Sequence, residues 1–219
     1  MKRSIYFLVL VGFLSSPLAS EASLIEEKKC GECHRLSEKE TEKNGPDLFY
    51  AGNKFQALWL ERYLQSPEVI RIAGYTNDPG FLKGESQNSH KHSALSKMDA
   101  KQITHELVKM TLPDLSQELS NAKPLTKGQK AKIKYQFERT FGCIACHQSL
   151  NLAGKVRGGI SGPSLVDAGN RLQANWVASW LKTPKTFFEK GRMPIYQMDD
   201  ETRLQFAQFI MTLKKENMR

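Results

Sequence analysis

Apolar residues recur along this chain at helical spacing, and several of the patterns occur twice. Ile103, Leu107 and Met110 share one side of a predicted helix entered at Asp99, and Phe206, Phe209, Ile210 and Leu213 do the same after Asp199 or Asp200. Phe55, Trp59 and Tyr63 fall at every fourth position, as do Leu172, Trp176 and Trp180. Each set follows an asparagine suited to cap a helix (Asn53, Asn170) and precedes a proline that stops one (Pro67, Pro184). Thr126 is placed to cap a further helix that buries Ile133, Phe137 and Phe141, and a short helix is predicted from about Leu24 to Lys29.

The two aromatic helices belong to an internal repeat. Gly45-Pro46-Asp47-Leu48 matches Gly162-Pro163-Ser164-Leu165, and an offset of 117 positions then holds without a gap. Gly52-Asn53 meets Gly169-Asn170, Trp59 meets Trp176, and Leu64 and Pro67 meet Leu181 and Pro184. A constant offset over so many positions predicts a duplicated domain. The expected organisation is a leader over residues 1–22, a first domain over 23–114, a linker over 115–124 and a second domain over 125–219.

The leader is predicted from Lys2 and Arg3, the apolar run Ile5 to Leu14, and small residues before a cleavage point after Ala22, with Ser20 the alternative. Ten residues are too few to span a bilayer, which takes about 20. The expectation is a periplasmic protein that does not span the membrane once the leader is cleaved. The net charge of +9 falls to +8 without the leader, because Lys2, Arg3 and Glu21 leave with it. A basic chain suits partner proteins with acidic docking surfaces. Nucleic acid is not expected as a partner, since the compartment is wrong and no reading motif is present.

The chemistry is concentrated in two segments, Cys30-Gly31-Glu32-Cys33-His34 and Cys143-Ile144-Ala145-Cys146-His147, which use all four cysteines. Cys-x-x-Cys-His is the attachment pattern of c-type haem, with two thioethers to the porphyrin and the imidazole on the iron. The predicted cofactors are therefore two covalently bound haem c groups. A shared zinc site would want its cysteine pairs within about 15–20 residues, whereas Cys33 and Cys143 are 110 apart. No strand-helix unit of thioredoxin type is evident, and disulfides would leave the two histidines unexplained.

Helix, attachment segment, Gly-Pro turn, aromatic helix, distal loop and final helix, in that order and twice over, resemble the class I cytochrome c domain. In layout the chain is similar to tandem di-haem carriers of the cytochrome c4 type. The resemblance implies an all-α fold of two such domains, each a few short helices wrapped around a haem. It also implies a distal methionine, which Arg192-Met193-Pro194 supplies in the second half, with Met198 as the competitor.

The first half has no Met-Pro. Met193 lies 18 positions before Met211 of Met211-Thr212-Leu213, and 18 before Met110 of Met110-Thr111-Leu112 is His92. The expected iron ligands are therefore His34 with His92 and His147 with Met193, with His90 and then Met98 as substitutes for His92. His105, off the apolar face of its helix, is expected to be exposed. A stretch sixteen residues longer than its counterpart, containing Gly74, Pro79, Gly80 and Gly84, is expected to form a loop ahead of His92.

A histidine in place of methionine lowers the potential of its iron. The predicted function is an electron-transfer relay from a donor to a higher-potential acceptor, with no catalytic residue. Two alternatives are a di-haem peroxidase or small-molecule reductase with an openable first haem, and a fixed subunit of a larger oxidoreductase. Lys127, Lys130, Lys132 and Lys134 form a possible contact patch for such a complex.

Overall fold

The computed structural model describes residues 23–71, 92–115, 117–120, 122–151, 153–189 and 191–218. The leader, His90 and most of the long loop lie outside them. The described residues are mostly helical, in agreement with an all-α expectation at that level. The departure is a two-stranded antiparallel hairpin, β1 (Ser149–Leu150) and β2 (Val156–Arg157), just after the second cysteine motif.

The first half runs through α1 (Leu24–Glu27), α2 (Ala51–Lys54), α3 (Ala57–Gln65) and α4 (Lys97–Leu107). The second runs through α5 (Lys127–Tyr135), a π turn over Gln136–Thr140, α6 (Ala168–Arg171), α7 (Ala174–Lys182), α8 (Pro184–Phe187) and α9 (Asp200–Ile210). Helix α5 starts as its sequence predicts. Thr126 accepts from the Gln129 amide while the Gln129 side chain accepts from the Thr126 amide, which satisfies two donors that a helix start leaves open. The aromatic helices end before their prolines, at Gln65 and Lys182, and Pro184 opens α8, where its missing N–H costs nothing.

Three predicted caps are placed differently. Asn53 and Asn170 lie inside the four-residue helices α2 and α6. Asn53 instead accepts from the Leu112 amide at 2.6 Å, and Asn170 donates to Asp167 and Glu216. An extended residue, Phe55 or Leu172, separates each short helix from the aromatic one, so the cap position passes to Gln56 and Gln173. Helix α4 is capped by Ser96, which accepts from the Asp99 amide, whereas α9 has Asp199 as expected.

That shift changes how the halves correspond. Helices α4 and α9 both have 11 residues and start 103 positions apart. Their ends meet the short helices in the same way: Gly52 N donates to Met110 O at 2.9 Å, and Gly169 N to Leu213 O at 2.8 Å. Met110 therefore matches Leu213, and the two Met-Thr-Leu triplets are not equivalent. The 18-residue count that pointed to His92 rested on them. At an offset of 103, Met193 falls on His90, so the location of His92 must be judged from its own surroundings.

Final helix packs on aromatic helix in each half, α4 on α3 and α9 on α7, and α9 also packs on α5. Ile103, Leu107, Trp59, Leu60 and Leu64 of the first half and Phe206, Phe209, Ile210, Trp176, Val177, Leu181, Ile133 and Phe137 of the second belong to one buried cluster. The segment expected as a linker lies along the second half: Glu118 pairs with Arg203 at 2.9 Å, and Asn175 accepts from the Leu119 amide at 2.8 Å.

The halves meet through matched residues. Gln56 Nε2 donates to Gly169 O and Leu172 O at 2.8 and 2.9 Å, and Gln173 Nε2 donates to Gly52 O and Phe55 O at 2.5 and 2.9 Å. Their backbone amides cross over too, Gln56 N to Arg171 O and Gln173 N to Lys54 O, around an antiparallel bridge between Phe55 and Leu172. Gln56 and Gln173 are themselves 117 apart, so the contact is reciprocal, as in an isologous dimer joined into one chain. The four side-chain bonds are worth about 1 kcal/mol each. The double variant Gln56→Ala, Gln173→Ala is expected to lose about 2–4 kcal/mol in denaturant unfolding and to be cut faster by protease within residues 113–124.

Candidate functional site

Each cysteine motif folds into the same local structure. Cys30–Glu32 and Cys143–Ala145 form single 3-10 turns, entered through a left-handed residue, Lys29 with φ 55° and Gly142 with φ 62°. The amides of His34 and His147 donate to Cys30 O and Cys143 O, both at 3.0 Å. All four thiols are free. Cys33 and Cys146 are exposed, while Cys30 and Cys143 are partly buried, and desolvation pushes the Cys143 thiol up to about 11 and raises that of Cys30.

The Gly-Pro turns hold the two imidazoles. His34 Nδ1 is 2.6 Å from Pro46 O, and His147 Nδ1 is 2.7 Å from Pro163 O. A carbonyl only accepts, so each Nδ1 carries the proton and each Nε2 keeps its lone pair. Desolvation lowers both histidine pKa values, with the proline carbonyl acting in the opposite sense, and keeps the rings neutral. The glycine before each proline packs against the ring: a Cβ on Gly45 would stand 2.6 Å from His34 Nδ1, and one on Gly162 2.7 Å from His147 Nδ1. A neutral imidazole with one nitrogen fixed by a second partner is the arrangement of a metal-ligating histidine.

The other predicted ligands are placed unequally. His92 faces His34, with ring centroids 6.3 Å apart, and its Nδ1 is 2.9 Å from Ser93 O. It also meets the edge of Tyr63, the last of the stacked rings Phe55, Trp59 and Tyr63. Met193 is half-buried against the core and accepts from Trp180 Nε1 at 3.0 Å, with no hydrogen bond joining it to His147 among the described residues. Met98 is 82% exposed, in the first turn of α4, and Met198 packs beside the start of α9. His105 is exposed as expected. Lys134 is not part of an open basic face, since it pairs with Glu138 and donates to Leu150 O, both at 2.8 Å. Among the described residues no group of three or more His, Cys, Asp or Glu side chains could hold a metal ion by itself.

Sequence reasoning missed a pair of cations, half-buried Lys54 and buried Arg171. The Lys54 ammonium lies among the rings of Tyr50, Phe55 and Trp176, 5.0–5.6 Å from their centroids. Desolvation, and then the neighbouring Arg171, push its pKa down to about 8. Arg171 is 6% exposed and donates to Ser164 O, and desolvation lowers it to about 10. Among the described residues neither is in a salt bridge. Beside them Trp176 Nε1 is buried without an acceptor. Lys54 and Arg171 are 117 apart, so the repeat conserves a cation here, and that identity of charge was the available signal.

Comparison of the chain with protein-family models, with curated proteins and with solved structures found no match.

Proposed function

We propose that this chain is a periplasmic di-haem c-type cytochrome, two class I cytochrome c domains in tandem, acting as an electron-transfer relay between a donor and a higher-potential acceptor. The observation that carries the reading is the matched pair of Cys-x-x-Cys-His segments, each with its imidazole held by a proline carbonyl at Nδ1 and with no hydrogen bond at Nε2 among the described residues. Cys30 and Cys33, and Cys143 and Cys146, would bind the two porphyrins, and His34 and His147 would ligate iron from one side. A bound haem supplies a one-electron couple whose potential the axial ligands set.

The chain's own chemistry fits that group. Two imidazoles on opposite sides of one metal, each with a metal–nitrogen bond of about 2.0 Å, place their ring centroids roughly 6 Å apart. The 6.3 Å between His34 and His92 supports bis-histidine ligation at the first site. Met193 would ligate the second iron once its thioether leaves Trp180 Nε1. Haem also brings carboxylates, and half-buried Lys54, buried Arg171 and the Trp176 indole are donors suited to receive them.

A carboxylate beside Lys54 has a measurable signature. Without one, its folded pKa near 8 lies below the ordinary 10.5, so the unfolded chain holds more protons and stability rises between pH 8 and 10.5. With one, the folded pKa is restored and the rise disappears. In the holoprotein, Lys54→Met is expected to cost about 1–3 kcal/mol at pH 7 by stranding the carboxylate. A variant more stable than wild type, with the rise at pH 8–10.5 present only in wild type, would remove the carboxylate from this position.

Charge is divided between the halves. Residues 23–114 carry 13 Lys and Arg against 14 Asp and Glu, a net of −1, while 125–219 carry 16 against 7, a net of +9. An acceptor with an acidic surface would therefore be steered to the second half. Spectropotentiometric titration of the holoprotein tests the relay. Two low-spin haems with separated waves are expected; overlapping waves would reject unequal ligation, and a high-spin component with peroxide turnover would favour an enzyme.

A further inference from the structure

The reciprocity of the two halves does not hold after α3. After α3 the first half runs through Pro67 to Arg71 and reaches the Gly-Pro turn of the second site. Ser164 N donates to Ile70 O at 2.7 Å, and Arg71 Nε donates to Ser161 O at 3.0 Å. The turn held in this way contains Gly162, which backs the His147 ring, and Pro163, whose carbonyl accepts from His147 Nδ1.

The mirrored contact is of another kind. At the 117 offset, Ile70 and Arg71 correspond to Phe187 and Phe188, and Ser164 corresponds to Asp47. Phe187 meets the first half through an edge contact with Tyr50, ring centroids 5.6 Å apart. Asp47 is bound by Arg35 of its own half through two of its guanidinium nitrogens. The second site thus receives a guanidinium from the first half, whereas the residue matching Arg71 in the second half, Phe188, is uncharged.

We propose that Arg71 is a positioning residue of the second site, supplied by the first half, whose guanidinium steadies the Ser161–Ser164 turn and raises the reduction potential of the haem attached there. This rests on reading Cys143 to His147 as a haem site. A positive charge beside an iron favours its ferrous state, which carries one positive charge fewer. The electrostatic effect outweighs the mechanical one because the turn is also tied within its own half, Gly162 N to Cys146 O at 2.8 Å and Leu165 N to Gln148 O at 2.9 Å. Arg71 also fits the direction of the relay, since it widens the gap that unequal ligation opens.

The test is spectropotentiometry at low salt on the holoproteins of wild type, Arg71→Gln, Arg71→Lys and, as a control for loss of a surface cation, Arg62→Gln. Arg71→Gln is expected to raise the oxidised-to-reduced ratio of the higher-potential haem about three- to tenfold at fixed potential, tenfold being 59 mV. The lower-potential wave should move less than about twofold, and Arg71→Lys should return most of the shift. Equal movement of both waves, movement of the lower wave alone, no movement, or a shift shared by Arg62→Gln would overturn the role of Arg71. A wild-type protein with no haem at the second motif would instead defeat the reading of that site, and the proposal with it.

Discussion

Replacing Gly162 with alanine is expected to abolish the low-spin signature of the second site and to leave the first unchanged. The new Cβ would stand 2.6 Å from His147 Cε1 and 2.7 Å from Nδ1, closer than side-chain atoms approach. Neither neighbour can move away cheaply. The Gly162 amide is bonded to Cys146 O, and the His147 backbone is held by its own amide on Cys143 O. The ring has to tilt, which breaks its bond to Pro163 O and misdirects Nε2. Overpacking of this kind costs about 1–3 kcal/mol in stability, but the larger effect is on the ligand. Gly45→Ala should do the same at the first site, where the Cβ would meet His34 at 2.6 Å and also Cys33 O at 2.7 Å. Visible spectra of the two variants, each with one altered haem, check both. Unaltered spectra would show that the glycines do not seat the ligands.

The second large effect is at His92. His92→Met is expected to raise the potential of the lower-potential haem by on the order of 0.1–0.3 V, a fraction of the roughly 0.8 V over which axial ligands tune haem. His92→Ala should leave that iron five-coordinate and high-spin, able to bind an added small ligand such as imidazole. His105→Ala is the matched control, since His105 is exposed on α4. A low-spin spectrum that persists in His92→Ala would transfer the ligand role to another side chain, with His90 first in line.

The residues that carry these predictions were legible in the chain to different degrees. The cysteine motifs, the 117-residue repeat and the aromatic helices could be read directly, because each depends on local spacing. Cap positions were less legible. Asn53 and Asn170 have the right chemistry for a cap but are used inside a separate short helix, and an extended residue then moves the cap by three positions. The equivalence of the two final helices was misread because Met-Thr-Leu occurs at both ends, whereas their match is set by which carbonyl meets Gly52 or Gly169.

His92 illustrates the difference between a count and a contact. Counting back from the triplets arrived at it through an equivalence that the backbone does not keep. Its place 6.3 Å from His34 stands independently of that count. Gln56, Gln173, Lys54 and Arg171 were visible as repeated polar columns among apolar ones, yet their roles depend on contacts between halves about 117 residues apart. No local pattern encodes such contacts. The hairpin of β1 and β2 was missed because two-residue strands are too short to show a period.

The most direct test of the central claim is the intact mass of the secreted, mature protein under denaturing conditions, with the haem spectrum recorded on the same sample. The two-haem reading predicts a mass equal to the mature chain plus two haem groups, retained through denaturation, and one haem fewer when Cys143 and Cys146 are both replaced by alanine. A mass equal to the bare polypeptide, or the same mass in that double variant, would contradict it.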